Sequence, residues 1–279
     1  MPNVETTLRS IYQKPMKSLD SLGAELAFYV KALAWTPRTI RRYKKEILRL
    51  LAEVTLGSGA LAVIGGTVGV ITALAFFTGT EVGLQGYAAL NQIGTAAFAG
   101  FVSAYFNTRE ISPLVAGIAL AATVGCGFTA QLGAMRISEE VDALEVMAIP
   151  SLPFLVTTRI IAGLIAVTPL YVVGLLSSYF ATRLTVTQFF GQSTGTYDHY
   201  FNQFLPPGDV LWSFGKVLVF AVVIILIHCY HGYNASGGPA GVGIAVGHAV
   251  RTSIVAINVI DLFLSMAIWG TTTTVRLAG

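Results

Sequence analysis

Long apolar blocks separated by short polar ones dominate this chain of 279 residues. Several blocks approach or exceed the ~20 residues that a helix needs to cross a bilayer. They predict spans at 54–78, 113–134, 152–180, 210–230 and 252–275. Because only helices and closed barrels satisfy every backbone group in lipid, the pattern predicts an all-α integral membrane protein with five transmembrane helices.

The first 53 residues are more charged and form a separate region, so the chain divides into 1–53 and a transmembrane domain at 54–279. From residue 39 the sequence TIRRYKKEILRLLAEV gives a helix with a basic face and an opposite apolar face made of Ile40, Ile47, Leu48 and Leu51. Such an amphipathic helix is expected at the headgroup level of a membrane, attracted by anionic lipid. The positive-inside rule places this N-terminus in the cytoplasm. The alternative is a soluble arm that packs on a partner.

Segment 79–112 is apolar but too rich in polar residues for a helix that faces lipid. Irregular backbone at membrane depth is tolerated only inside protein or beside a cavity. We therefore expect one broken or re-entrant segment that lines the bundle interior, with Pro113 starting the next helix. Arg109 and Glu110 form either a solvated turn or a functional pair. Segment 231–251 is expected to be a glycine-rich loop followed by a short helix.

The stretch 135–159 interrupts the apolar pattern with a cluster of charges. Ser138 can cap a helix N-terminus, so that Glu139 and Glu140 fall in the first turn, where the helix dipole favours anions. Apolar residues recur at helical spacing from 137 to 148. The pattern predicts a short amphipathic helix at 138–149, at the mouth of two spans. It either acts in coupling to a partner or merely caps the bundle.

Composition narrows the function. The chain is 54% hydrophobic and 11% charged, with a mean hydropathy of +0.70, whereas soluble domains carry about 25% charged residues. A net charge of +3 is too small to indicate nucleic acid. The only Gly-Lys pair lacks the spacing of a phosphate-binding loop, and the four histidines lack zinc-ligand spacing. We expect no catalytic residue, no metal and no cofactor bound by this chain.

Lys216 and Asp261 lie near the middle of predicted spans, where charges are costly unless they face the interior or pair. They form either polar contacts in a substrate path or a structural ion pair, and Arg109 with Glu110 poses the same choice. A self-sufficient ion-coupled carrier that uses Lys216 and Asp261 is an alternative function. It predicts inverted repeats, and the sequence shows none.

Several motifs together resemble the MlaE/YrbE permease family, from about Leu50 to the C-terminus. They are, in chain order, GLQGY at 83–87, REISP at 109–113, AQLGAM at 130–135, EEVDALEVMAIP at 139–150, HGYNA at 231–235 and IDLFL at 260–264, with Leu155, Arg159 and Lys216. The basic N-terminus and the tail at 242–258 resemble YrbE subunits of actinobacterial Mce (mammalian cell entry) systems, of the B type.

The resemblance implies a non-enzymatic permease subunit of an ATP-driven lipid transporter in the plasma (inner) membrane. ATP and Mg²⁺ belong to a cytoplasmic ATPase dimer, and the expected partners are an A-type permease in a heterodimer and MCE-domain proteins that form a lipid tunnel. The substrate is a fatty acid or related lipid, moved by import. Residues 138–149 become the coupling helix. Its expected ATPase contacts are Glu139, Glu140, Asp142, Leu144, Glu145 and Met147.

Arg109, Glu110, Lys216 and Asp261 are the expected polar residues of the lipid path. The chain departs from the family in two places: Ala121-Ala122-Thr123 stands where members often have Ala-Gly-Arg, and Gln131 replaces a Glu. In a heterodimer the partner can supply what this chain lacks. A scaffold for MCE proteins without a transport path is a further alternative.

Overall fold

The computed structural model describes residues 20, 22–56 and 66–270, and these are almost entirely helical. The prediction of an all-α membrane protein is confirmed, since five helices in the described part of the chain are long and apolar enough to span a bilayer. The helices are α1 (22–34), α2 (Thr36–Arg42), α3 (Lys44–Leu56), α4 (Thr67–Gln92), α5 (Ala96–Ile137), α6 (Glu140–Val146), α7 (Pro153–Phe189), α8 (Thr194–Gln203), α9 (Pro207–Tyr233) and α10 (Gly238–Trp269).

The connections define two ends of the bundle. Residues 138–152, which include α6, join α5 to α7 and are called the acidic loop here, and residues 234–237 join α9 to α10 at the same end. The opposite end holds the turn at 93–95 and helix α8. Each spanning helix therefore runs from one end to the other, and the chain is a multi-pass membrane protein.

The predicted boundaries of the second span and the role of Pro113 are wrong. Helix α5 runs through Pro113 for 42 residues. It widens into π-helical turns at Ser103–Ile111 and Ala121–Gly125. Pro113 has no N–H to donate to the carbonyl of Arg109, four residues earlier. The carbonyl of Arg109 accepts a hydrogen bond from Lys216 Nζ at 2.7 Å, so a distant side chain contacts the backbone of α5 just before the proline.

Segment 79–112 is divided between two helices by the turn at 93–95. Part of the predicted first span, 57–65, lies outside the described residues, and α4 continues to Gln92. The prediction of a glycine-rich loop at 231–251 is wrong, because only 234–237 separate α9 from α10. Gly243 and Gly247 lie inside α10, consistent with the greater tolerance of glycine in membrane helices.

Small residues let α4 and α7 approach closely. A Cβ added at Gly79 would collide with the backbone of Ser178. At this contact Thr182 Oγ1 donates a 2.7 Å hydrogen bond to the Gly79 carbonyl. Asn107 of α5 donates a 2.9 Å hydrogen bond to the same hydroxyl oxygen, so three helices meet here. Without a hydrophobic force between helices in lipid, such contacts hold a bundle together.

The amphipathic helix α3 packs on the bundle with a face slightly different from the expected one. Ile47 and Leu50 are buried together with Ile161 and Ala162 of α7. Leu48, expected on the apolar face, is exposed. The N-terminal helices thus contact both the bundle and the surroundings at the acidic-loop end.

Gly79→Ala is expected to lower the free energy of unfolding by about 1–3 kcal/mol, because the added methyl group forces α4 from α7. The measurement is the melting temperature of the protein in lipid nanodiscs. Gly127→Ala is the matched control, since a Cβ there meets no atom within 4 Å. Equal melting temperatures for the two variants would contradict the close approach at Gly79.

Candidate functional site

A group of charged side chains lies inside the bundle where α5, α9 and α10 meet. We call it the buried charge cluster, and its members are Arg109, Glu110, Asp209, Lys216, Asp261, Ser265 and Trp269. Arg109 lies about 20 Å along α5 from its Ala96 end, at 1.5 Å per residue. The cluster therefore occupies the half of the bundle farther from the acidic loop, and it contains all four predicted lipid-path residues.

Lys216 is at the centre of the cluster, and its side chain is fully buried. Its Nζ lies 2.6 Å from Asp261 Oδ1 and 3.4 Å from Glu110 Oε2. Nζ also donates a 2.8 Å hydrogen bond to Ser265 Oγ, which in turn donates to Glu110 Oε1 at 2.8 Å. The ammonium group thus ties α9 to α5 and α10. Lys216 and Asp261 therefore form an ion pair.

Arg109 pairs with Asp209, at the N-terminal end of α9, rather than with its neighbour Glu110. Both Nε and Nη2 approach Asp209 Oδ2, at 2.7 and 2.6 Å. The guanidinium carbon lies 4.1 Å from the ring centroid of Tyr105 and 5.2 Å from that of Trp269. Trp269 Nε1 completes the arrangement with a 2.9 Å hydrogen bond to Asp209 Oδ1.

Sequence reasoning missed three cluster members: Asp209, Ser265 and Trp269. Asp209 follows two prolines in a polar stretch that reads as a loop. A usable signal did exist on α10, because Asp261, Ser265 and Trp269 are spaced i, i+4 and i+8 and so share one helix face.

The cluster contains two cationic and three carboxylate side chains. A charge in hydrocarbon is tolerated when it faces the interior and is paired, and both cations meet this condition. Glu110 is the most accessible of the carboxylates, with 35% of its side chain exposed. Each cation of the cluster thus has a carboxylate partner in this structure.

The acidic loop presents the predicted coupling residues. Its helix α6 spans seven residues, Glu140–Val146. Ser138 does not cap it, and that prediction is wrong: Ser138 ends α5, and its hydroxyl donates to the Ala134 carbonyl at 2.9 Å. The residue before α6 is Glu139, which has a left-handed backbone with φ 61°.

The residues predicted to contact an ATPase differ in environment. Glu139, Glu140, Asp142, Glu145 and Met147 are exposed, whereas Leu144 packs against the hydrophobic core. Val146, which was not predicted, is 89% exposed. The surface of the acidic loop is therefore acidic and exposed, with an apolar tip at Val146 and Met147.

Two contacts fix the loop to the bundle. Arg136 Nη1 lies 2.7 Å from Asp142 Oδ1. Ser151 Oγ donates to Glu145 Oε1 at 2.6 Å and lies 2.7 Å from the hydroxyl of Tyr233. Tyr233 is the last residue of α9. Lys216 lies about 26 Å away on the same helix, toward its N-terminus. One helix therefore contacts the acidic loop at one end and carries two members of the buried charge cluster.

The exposed Arg183–Asp198 pair, near α8, provides a contrast to the cluster. Arg183 Nε and Nη2 donate hydrogen bonds of 2.8 and 2.9 Å to the carboxylate. These hydrogen bonds lower the pKa of Asp198 below its ordinary value. Because water screens both partners, an exposed pair of this kind contributes little to stability.

Comparison with known proteins finds relatives that cover most of the chain. Residues 57–267 match the family model described as Permease MlaE. A probable ABC transporter permease protein of Rickettsia bellii is 31% identical over 256 residues, covering 92% of this chain and 95% of that protein.

Two further relatives come from a plant and from another bacterium. The chloroplastic protein TRIGALACTOSYLDIACYLGLYCEROL 1 of Arabidopsis thaliana is 31% identical over 71% of this chain and 57% of its own length. The intermembrane phospholipid transport system permease protein MlaE of Haemophilus influenzae is 26% identical over 70% of this chain and 75% of its own. The chain belongs to the MlaE permease family.

Proposed function

We propose that this chain is the permease subunit of an ATP-driven Mce-type lipid transporter. The observation that carries the proposal is the continuity of α9, which contacts the acidic loop at Tyr233 and brings Asp209 and Lys216 into the buried charge cluster. A displacement of the acidic loop can thus reach the cluster along one helix. The names of the relatives, which refer to ABC transporter permeases and to phospholipid transport, support this direction.

The acidic loop is the proposed contact with a cytoplasmic ATPase dimer, in which ATP and Mg²⁺ are bound. Its exposed carboxylates would meet a basic rim, and Val146 with Met147 would enter an apolar groove. Interfaces combine such an apolar centre with a polar edge. The ATPase supplies the energy, and this chain has no enzymatic role of its own.

The buried charge cluster is the proposed site of passage for a lipid head group. The guanidinium of Arg109 and the ammonium of Lys216 suit the carboxylate of a fatty acid or the phosphate of a related lipid. In this structure Asp209 pairs with Arg109, and Glu110 and Asp261 pair with Lys216. Movement of α9 would loosen these pairs and let the lipid anion replace a carboxylate. The direction, import, rests on the resemblance to Mce systems.

The proposed assembly is a heterodimer of this chain, as the B-type YrbE subunit, with an A-type permease in the plasma membrane, beneath MCE-domain proteins. The basic residues of α2 and α3 lie at the acidic-loop end, whereas residues 184–207 at the opposite end contain no Lys or Arg. The positive-inside rule then supports a cytoplasmic N-terminus and acidic loop.

The ATPase contact is tested with Glu139→Lys combined with Glu140→Lys. Recovery of the ATPase with the tagged permease is expected to fall about tenfold or more, because like charges facing each other cost more than 1.4 kcal/mol. Lys44→Glu with Lys45→Glu, at the same end, is the control for a change of equal size. Undiminished recovery with the loop variant would contradict the coupling role.

The lipid path is tested with Arg109→Lys in the assembled transporter reconstituted in proteoliposomes. Lysine keeps the charge but lacks the rigid fork of two parallel N–H groups with which arginine matches a carboxylate or phosphate. The rate of labelled-lipid transfer is therefore expected to fall about tenfold, with the ATPase still bound. Arg183→Lys makes the same change at the exposed Arg183–Asp198 pair and is expected to leave transfer unchanged. Equal transfer rates for both variants would remove Arg109 from the path.

A further inference from the structure

A second polar network lies toward the acidic-loop end and joins three helices, separately from the buried charge cluster. We call it the amide relay, and its members are Arg159 of α7, Gln131 of α5 and Glu53 of α3. Arg159 Nη2 donates a 3.1 Å hydrogen bond to Gln131 Oε1, and Gln131 Nε2 donates to Glu53 Oε1. One neutral side chain thus connects a cation of α7 with a carboxylate of the amphipathic helix.

Arg159 is a buried cation with no direct carboxylate partner in the described part of the chain. It is 3% exposed and takes part in none of the ion pairs formed there. Its Nη1 donates to the Leu155 carbonyl at 2.7 Å, and its Nε has no acceptor among the described residues. A buried charge without a counterion is costly, so a carboxylate reached through Gln131 stabilises this guanidinium.

The amide of Gln131 satisfies both neighbours in one orientation only. Its carbonyl oxygen accepts from Arg159 and its NH₂ group donates to Glu53, whereas the reversed amide would oppose donor to donor and acceptor to acceptor. A glutamate at this position could pair with Arg159, but it would turn a second carboxylate toward Glu53. Glutamine is therefore suited to bridging opposite charges.

The amide relay crosses the base of the acidic loop. Gln131 lies about 9 Å from the end of α5 at Ile137, and Arg159 lies about 9 Å from the start of α7 at Pro153. These two ends are the ones that the acidic loop connects. The relay therefore links the two helices that carry the loop and ties both of them to α3.

The contacts of α3 with the bundle are of two kinds. Ile47 and Leu50 pack on α7, and such apolar contacts are non-directional. Glu53 provides the directional contact, through Gln131, and its other oxygen lies 3.7 Å from Arg49 of the same helix. The apolar contacts hold α3 on the bundle, and the hydrogen bond at Glu53 fixes its orientation.

We propose that Gln131 is a positioning residue, which sets the docking of α3 against the base of the acidic loop by bridging the charges of Arg159 and Glu53. The loop and the amphipathic helix then form one mechanical unit. In the proposed transport cycle, on which this consequence rests, a displacement of the loop carries α3 with it.

The docking is tested with Gln131→Glu in the full-length protein in lipid nanodiscs, by hydrogen exchange of the α3 amides. The new carboxylate faces Glu53, so exchange over residues 47–54 is expected to rise about tenfold through local opening. Adding Glu53→Gln restores one amide between one cation and one carboxylate. Exchange is then expected to return to within about twofold of the unmodified protein. Unchanged exchange in Gln131→Glu overturns the proposal.

The matched control combines Gln131→Glu with Glu46→Gln, which gives the same net charge on the same helices but leaves Glu53 opposite the new carboxylate. Exchange over residues 47–54 is expected to stay raised. Recovery as complete as that with Glu53→Gln would show a general effect of charge on α3 and overturn the relay. A packing role for Gln131 likewise predicts no rescue when the charge is moved to its partner.

The link to transport is tested with the same variants in the reconstituted transporter. Gln131→Glu is expected to slow labelled-lipid transfer about tenfold, and the addition of Glu53→Gln is expected to restore it. Equal transfer by Gln131→Glu and the unmodified protein would show that α3 does not move with the loop, and would overturn this consequence. No transfer by the unmodified assembly would instead contradict the proposed function, so the two failures are distinguishable.

Discussion

The need to neutralise Lys216 inside the bundle constrains the arrangement of three helices. An ammonium group at membrane depth is costly unless it is paired and faces protein. Here Asp261 comes from α10 and Glu110 from α5, and the carbonyl of Arg109 completes the set. The side chain of Lys216 thus joins α9 to the backbone of α5 close to Pro113.

Packing of the other helices holds α5 in position for its contact with Lys216, and α9 connects that contact to the surface of the protein. Close approach at Gly79 and the hydrogen bonds of Thr182 and Asn107 join α4, α5 and α7. Helix α9 extends from the buried charge cluster to the acidic loop without a break. The proposed transport step uses both properties: a rigid helix transmits a displacement, and a paired set of charges responds to it by exchanging partners.

The sequence was sufficient for the general architecture and for the residues whose burial is unusual. Hydropathy shows where membrane helices must be, and the cost of charge in lipid identifies Lys216 and Asp261 as paired or functional. The pairing itself depends on which helices are neighbours, so Asp209 in an apparent loop could not be assigned to Arg109. Pro113 and Ser138 were misread because local rules treat a proline as a start and a serine as a cap. The rule for proline does not include the π-helical turns of α5, and Ser138 instead donates its hydroxyl back to the Ala134 carbonyl at the end of that helix.

The most direct measurement of the central constraint is the free energy of unfolding of Asp261→Asn in two backgrounds, in lipid nanodiscs. In the unmodified protein this change removes a partner of Lys216 and is expected to destabilise the fold by about 3–5 kcal/mol. In a Lys216→Met background the same change removes an unpaired buried carboxylate, so it is expected to be neutral or stabilising. Destabilisation of the same size in both backgrounds would show that Asp261 and Lys216 act independently, and would contradict neutralisation of Lys216 as the basis of the fold.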